Sequence, residues 1–203
     1  YETKSDATLK GKAIDGLINP DFTTGTTYGW KAENCTVRIS TVDSNVSGGY
    51  IVCENFKDNV DWNLKNDGIV TVKPKNTYRV SIMLRTQSGL FKDTNYLACL
   101  VYKSDGTTQI INAKLADKGV FTTNNWYERS VDITIPEKIT AIRLAIALRT
   151  TSTGYVCLKS MRIEDVTLAL EAQNTANKGV TQSSEAIQSL KNFQQSVEET
   201  YVK

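Results

Sequence analysis

The residues that most often perform acid–base chemistry are unevenly represented in this chain. Its 203 residues include no histidine, the side chain that most often serves as a general base or a transition-metal ligand. Chemistry based on two carboxylates is still compatible with the composition, because it needs only Asp and Glu. None of the acidic residues considered lies in a recognisable catalytic motif, so we predict that the chain is not an enzyme. Those residues are Asp61, Asp67, Glu128, Asp132 and Glu164.

The four cysteines are the other reactive side chains, and they are Cys35, Cys53, Cys99 and Cys157. They are widely spaced and form no CxxC pair, so neither a zinc site nor a redox motif is indicated. Each lies in a strand-like stretch, which favours small, buried, reduced side chains. One or two disulfides stay open as an alternative, because spacing does not show which strands are neighbours.

Charge and hydropathy exclude several classes of partner. Twenty-four basic and 22 acidic residues leave a formal charge of +2, with no long run of either sign. We therefore expect no binding to nucleic acid and no attraction to an anionic membrane surface. No apolar stretch approaches the roughly 20 residues that span a bilayer, so no membrane insertion is expected. The chain starts at Tyr1 and not at Met, so we expect that the true start lies upstream.

The middle of the chain, residues 17–167, has the pattern of β-strands. Apolar and polar side chains alternate in residues 78–85, 95–102 and 130–135, and the last of these runs ends at Pro136. Residues 142–149 are more uniformly apolar, as in a central strand. Turn signals such as Asn66-Asp67-Gly68 separate these runs. About nine or ten strands without intervening helices predict an antiparallel β-sandwich, either jelly-roll or immunoglobulin-like.

Residues 168–203 carry a different period. Apolar and polar positions recur in steps of four and three, a pattern that predicts a coiled coil. A single helix packed on the preceding domain is the alternative, although such a helix usually has a wider apolar face. Residues 1–16 are polar and are interpreted as a linker or the end of an upstream helix. The heptad positions that would face a partner helix in the coiled coil are named the seam. They are Ala169, Gln173, Ala176, Val180, Ser183, Ile187, Leu190, Gln194, Val197 and Tyr201.

An ordered set of motifs resembles the jelly-roll carbohydrate-binding modules of families 4, 9 and 22. The opening stretch, Leu17 to Gly25 followed by Tyr28-Gly29-Trp30, is similar to their Asn, Asp-Phe-Glu, Gly, Trp signature. Residues 72–81 resemble their strand with a preceding Pro, 126–136 their Trp-led strand and 161–168 their closing strand. The resemblance covers about 150 residues and implies a jelly-roll sandwich over 17–167.

The same resemblance implies a structural calcium ion, with one departure. Members of these families commonly hold calcium through the Glu of the opening motif and an acidic residue of the closing strand. Thr23 stands where that Glu would be, whereas Asp165 is kept, so Asp21 and Asp165 are the remaining candidate metal ligands. Calcium usually needs six to eight oxygen ligands. Apart from this ion, no cofactor is expected.

Candidate ligand-binding residues follow from how proteins bind sugars, through aromatic faces and polar side chains that converge on hydroxyl groups. Trp62 lies among polar residues and is the candidate stacking platform, with Asn63 beside it; the alternative for Trp62 is a packed strand residue. Tyr96 and Tyr102 are six apart in one strand and should face the same side. Arg85 and Arg149 end strands that look like neighbours, and both are candidates for binding carboxylates or acidic sugars. The alternative is that they are solvated surface residues.

A sandwich of this kind joined to a heptad helix is similar to segments of bacteriophage tail fibres and tail-tip proteins, which are usually trimers. We therefore expect a homotrimer formed through the C-terminal helix, located in the virion tail and assembled in the host cytoplasm. The sandwich would bind a host-surface glycan or act as a spacer. The alternative is an accessory carbohydrate-binding module of a secreted polysaccharide-degrading enzyme.

Overall fold

The structure, a computed structural model, describes residues 11–41, 49–57, 60–86, 96–117, 125–150 and 154–201. These residues form twelve β-strands followed by one α-helix. The strands are β1 (Lys12–Ala13), β2 (Trp30–Glu33), β3 (Thr36–Ser40), β4 (Tyr50–Glu54), β5 (Val60–Asn66), β6 (Val70–Thr71), β7 (Thr77–Thr86), β8 (Tyr96–Lys103), β9 (Gln109–Asp117), β10 (Tyr127–Thr134), β11 (Ala141–Thr150) and β12 (Tyr155–Asp165), and the helix is α1 (Thr167–Tyr201).

The strands form two six-stranded sheets in which every pair is antiparallel. Sheet A has the order β10-β7-β12-β4-β3, with β1 added beside β12. Sheet B has the order β2-β5-β11-β8-β9, with β6 added beside β11. Apart from β3–β4 and β8–β9, neighbouring strands are not consecutive in sequence, so most pairings depend on long-range contacts. The expected antiparallel sandwich is confirmed.

Alternation of side chains places one face of each sheet in a shared core. Ile82 and Leu84 of β7 and Val156 and Leu158 of β12 point inward from sheet A, and Leu144 of β11 points inward from sheet B. The intervening residues of the same strands form the outer faces. A bulge in β12, between Lys159 and Arg162, shifts the register against β7, so that Met161 and Ile163 again point inward.

The Asn66 side chain fixes the opening segment of the sandwich to the turn after β5. Its Oδ1 accepts hydrogen bonds from the Ile18 N–H at 3.0 Å and the Gly68 N–H at 2.9 Å, and its Nδ2 donates to the Ile18 carbonyl at 2.8 Å. A Cβ on Gly68 would lie 2.0 Å from the Gly16 carbonyl oxygen, so only glycine fits this approach. The predicted Asn66-Asp67-Gly68 turn thus also anchors residues distant in sequence.

The N-terminal boundary differs from the expectation. Lys12 and Ala13 pair with Asp165 and Glu164 of β12, so the sandwich begins before residue 17 and these two residues are not helical. The short two-residue strands β1 and β6 also raise the number above the nine or ten expected, because pairs this short leave no periodic signal. Residues 1–10 lie outside the described residues.

Helix α1 begins at Thr167 and continues for 35 residues. The side chains of the seam residues Val180, Ile187 and Leu190 are exposed, as is that of Phe193. The helix is confirmed, whereas its association into a coiled coil stays a prediction. Among the described residues, no helix combines the length and the apolar character needed to cross a membrane.

Candidate functional site

The outer face of sheet B brings together two of the residues expected to bind a ligand. Asn63 of β5 lies opposite Ala147 of β11, which lies opposite Ala98 of β8. Tyr96 lies two residues before Ala98 on β8 and therefore shares this face. The expectation that Tyr96 and Tyr102 face one side is met as well, because six residues separate them in a continuous strand.

Apolar and mostly small side chains lie at the centre of this face, and longer polar ones surround them. The floor consists of Ala98, Leu100, Ala145 and Ala147, which are 0–6% exposed and pack with Tyr102 as one buried cluster. Asn63 and Lys65 border it on β5, and Asn112 and Lys114 border it on β9, where their register partners are Leu100 and Ala98. We name this region the sheet B depression. It extends roughly 20 Å from Tyr96 to Tyr102 and roughly 14 Å from β5 to β9.

Two lysines lie against the tyrosines at the ends of the sheet B depression. The Lys65 Nζ is 4.3 Å from the Tyr102 ring centroid, and the Lys114 Nζ is 5.8 Å from that of Tyr96. Tyr102 is 8% exposed, and burial raises the pKa of its hydroxyl, so it stays a neutral hydrogen-bonding group at physiological pH. Tyr96 is 37% exposed and is the more accessible of the two rings.

Asn63 is positioned by a contact with the neighbouring strand. Its Nδ2 donates to Glu33 Oε2 at 3.2 Å, and Glu33 is its register partner on β2. The Asn63 Oδ1 is buried and has no hydrogen-bond partner among the described residues. The pair therefore places a carboxylate and an amide nitrogen at one side of the depression.

Trp62 does not fit the stacking role expected for it. Its side chain is 0% exposed and stacks on Phe56 with a centroid distance of 5.2 Å. Trp62 and Asn63 point to opposite faces of β5, so the indole points into the core. A buried ring offers no face to a sugar, and the alternative of a packed strand residue describes its position.

Arg85 lies on the other sheet, away from Asn63 and Tyr96. It is on the outer face of sheet A, where its guanidinium carbon lies 5.3 to 5.9 Å from the ring centroids of Tyr50, Trp126 and Tyr155. Tyr50 and Trp126 contact each other edge to face at 5.3 Å. Arg149 belongs to β11 in sheet B, so the expectation that Arg85 and Arg149 end neighbouring strands is wrong.

The two candidate metal ligands, Asp21 and Asp165, do not form a site that fits a calcium ion. The Asp21 Oδ1 accepts hydrogen bonds from the Thr23 N–H and hydroxyl, and the Asp165 Oδ2 accepts one from the Asn76 amide. Within the described part of the chain, no group of three or more Asp, Glu, Cys or His side chains is placed to hold a metal. Two separately engaged carboxylates fall short of the oxygen ligands that calcium requires.

Sequence reasoning missed the lysines and the aromatic group around Arg85. Lys65 lies against Tyr102, and Tyr50 against Trp126, because the fold brings together segments that are distant in sequence. The usable signal was local: in β8 and β11 small Ala side chains occupy outward positions, which is unusual for an exposed sheet face and indicates a depression.

The sequence matches the carbohydrate-binding-module 4/9 family model, described as a carbohydrate binding domain, over residues 15–153. This match covers more than half of the chain, and the chain belongs to this family. Among curated proteins, none matches the sequence. The resemblance to jelly-roll carbohydrate-binding modules is thereby confirmed.

Solved structures share the fold at low identity. The CBM22-1 xylan-binding domain of Paenibacillus barcinonensis Xyn10C has a TM-score of 0.51 at 17% identity, covering 78% of this chain and 99% of that one. A family 16 carbohydrate binding module has a TM-score of 0.54 at 13% identity, covering 74% and 100%.

The enzymatically active domain of bacteriophage CBA120 tailspike protein 4 is another structure with this fold, with a TM-score of 0.56 at 7% identity. The matched region covers 75% of this chain but only 21% of the tailspike domain. At these identities the likeness concerns the fold alone.

Proposed function

We propose that this chain is a non-catalytic glycan-binding module whose ligand lies in the sheet B depression. The observation that carries the proposal is the combination of an accessible tyrosine, amides and a carboxylate around an apolar floor, in a member of a carbohydrate-binding family. Apolar floors accept the C–H faces of sugar rings, and polar rims accept their hydroxyl groups.

Each group in the sheet B depression has a role in this proposal. Tyr96 supplies the aromatic contact, while Asn63, Asn112 and Glu33 exchange hydrogen bonds with hydroxyl groups. An aromatic contact of this kind contributes about 0.5–1.5 kcal/mol beyond the area it buries. One such site binds weakly, so several copies acting together would be needed for firm attachment to a surface.

The proposal is tested by glycan binding to the purified chain and to Tyr96→Ala and Asn63→Ala. Both variants should lose most of their binding and keep the wild-type melting temperature. Arg85→Gln and Trp126→Ala, on the outer face of sheet A, are the matched controls and should bind normally. Loss of binding in these two alone would move the site to sheet A and overturn this assignment. Release of reducing ends from a bound polysaccharide would overturn the non-catalytic role.

We also propose that α1 assembles the chain into a homotrimer, as part of a phage tail fibre or tail-tip protein in the virion. The support is the seam itself, because exposed Val180, Ile187 and Leu190 recur in heptad steps and are buried in a coiled coil. A trimer would present three depressions at once and raise the apparent affinity for a host surface that carries many glycans.

The mass in solution tests this assembly. We expect about three times 22.5 kDa for the wild type. Ile187→Asp with Leu190→Asp should give a monomer whose sandwich stays folded. Gln188→Asp with Asn192→Asp adds the same charge off the seam and should leave the assembly unchanged. A trimer in the first double variant would show that the seam does not assemble the chain.

An accessory module of a polysaccharide-degrading enzyme is the second candidate function. The family match and the sandwich favour it as much as they favour the fibre. A monomeric wild-type chain that binds glycan would support this alternative, because accessory modules act as single tethered units.

A further inference from the structure

We propose that the sheet B depression binds an acidic glycan, with a carboxylate-bearing sugar at its Tyr102 end. This inference rests on the proposed glycan-binding function and adds the chemical class of the ligand. It starts from Lys31 of β2, Lys65 of β5 and Arg143 of β11, whose side chains share the outer face of sheet B. We name these three residues the basic end.

The register of the sheet places the charges of the basic end close together. Lys31 lies directly opposite Lys65 in the β2–β5 pair, and like charges in this arrangement repel each other. Lys65 lies opposite Ala145, two residues along β11 from Arg143, and Arg143 lies opposite Tyr102 on β8. Lys65 and Arg143 are therefore the two cations nearest to Tyr102, and Lys31 lies beyond Lys65 on β2.

One carboxylate, that of Asp67, contacts two of the three cations. The Asp67 Oδ1 lies 3.3 Å from the Lys31 Nζ and 3.7 Å from the Arg143 Nη1. Within the described residues, Lys65 has no acidic partner within 4 Å. The basic end thus has an excess of positive charge in a chain whose total charge is only +2.

Lys65 is held in place rather than extended into solvent. Its Nζ donates to the Gly106 carbonyl at 2.8 Å and lies over the Tyr102 ring. An ammonium group fixed at the border of an apolar floor loses part of its hydration, and a ligand carboxylate would restore a charged partner. The Tyr102 hydroxyl and the remaining Lys65 N–H groups would donate to that carboxylate.

The negative charge of Glu33 bears on the direction in which an acidic glycan would lie in the sheet B depression. Glu33 lies two residues along β2 from Lys31 and contacts Asn63. A carboxylate repels an acidic group and accepts hydrogen bonds from neutral hydroxyls. The Glu33 charge also reaches Tyr102, where it adds to burial in raising the pKa of the hydroxyl. The preference for the Tyr102 end therefore comes from Lys65, and the neutral hydroxyl groups should lie beside Glu33 and Asn63.

The experiment compares a panel of uronic-acid polysaccharides with the same polymers after their carboxyl groups are reduced to alcohols. The wild type should bind the acidic forms at least several-fold more tightly, and binding should weaken as salt is raised. Lys65→Met keeps the apolar stem of the side chain. Compared with the wild type, it should bind the acidic form roughly tenfold more weakly and the reduced form with the same affinity. Lys178→Gln on α1 changes the charge by the same amount elsewhere and should have no effect.

Each outcome separates this inference from the proposed function. Equal binding of acidic and reduced polymers, or unchanged discrimination in Lys65→Met, overturns the acidic preference and leaves glycan binding standing. Absence of binding to every polymer in the panel overturns the acidic preference, and the glycan-binding function is overturned as well if neutral polysaccharides outside the panel are not bound either. A role of Lys65 limited to holding the turn at Gly106 would lower the melting temperature of Lys65→Met without changing the ratio of the two affinities.

Discussion

The indole of Trp62 fills the centre of the sandwich, where it packs almost parallel to Phe56. No part of the ring reaches solvent, and its Nε1 has no hydrogen-bond partner among the described residues. The contribution of Trp62 to stability therefore comes from burial and packing, and it is reduced by the cost of an unpaired N–H group.

We predict that Trp62→Ala lowers the free energy of unfolding by about 3–5 kcal/mol, because it removes a large side chain from a close-packed core. Trp62→Phe should cost much less, since it keeps most of the volume and removes the unpaired donor. Urea denaturation of the three proteins measures both changes. A loss below about 1 kcal/mol in Trp62→Ala would contradict the burial of this ring.

The neighbours of Trp62 explain why its position was not evident from sequence. Asp61 and Asn63 are polar, and a tryptophan between them resembles an exposed platform. In a strand, however, adjacent residues point to opposite faces, so polar neighbours are what a buried residue of a half-exposed strand should have. Applied to β5, this rule assigns Asn63 to the surface and Trp62 to the core.

At the scale of elements, the turn after β5 joins segments that are far apart in sequence. The Asn66 side chain occupies the place of a backbone amide, since it both donates to and accepts from Ile18. Asn66 is fully buried, and buried polar groups are costly unless they are paired. The turn therefore holds the opening segment of the sandwich as well as reversing the chain.

We predict that Asn66→Ala destabilises the sandwich by roughly 2 kcal/mol or more. The change leaves the N–H groups of Ile18 and Gly68 without their acceptor, and each orphaned group costs about 1–3 kcal/mol. Asn112→Ala, on the exposed side of β9, is the control and should change stability by less than about 0.5 kcal/mol. Equal melting temperatures for the two variants would show that the Asn66 bonds contribute little.

The strands that could be predicted from the sequence are those in which a hydrophobic pattern continues over many residues. β7, β8, β10 and β11 each show alternation or a continuous apolar run, and each was placed within a few residues. Their assignment to sheet A or sheet B could not be predicted, because it depends on long-range pairing. Arg85 and Arg149 illustrate this limit: both end long strands, but the strands belong to different sheets.

For the whole molecule, burial shifts the acidity of several groups in one direction. Burial raises the pKa of Tyr78 and of Tyr102, and it raises the pKa of Cys99 to about 12. Cys53 is shifted upward as well, first by its hydrogen bond with Cys35 and then by burial. The same bond lowers the pKa of Cys35.

These shifts predict that the sandwich is sensitive to alkali. The folded state holds these protons more tightly than the unfolded chain, whose Cys and Tyr groups have pKa values of roughly 8.5 and 10. The stabilisation from these groups is therefore fully present below about pH 8 and falls as pH rises towards 12, because only the unfolded chain gains from losing the protons. Thermal unfolding at pH 7 and pH 11 should show a lower melting temperature at pH 11. In Cys99→Ala the fall should be smaller, since one of the buried acids is gone. An unchanged melting temperature across this range would mean that these groups ionise as readily in the folded sandwich as in the unfolded chain.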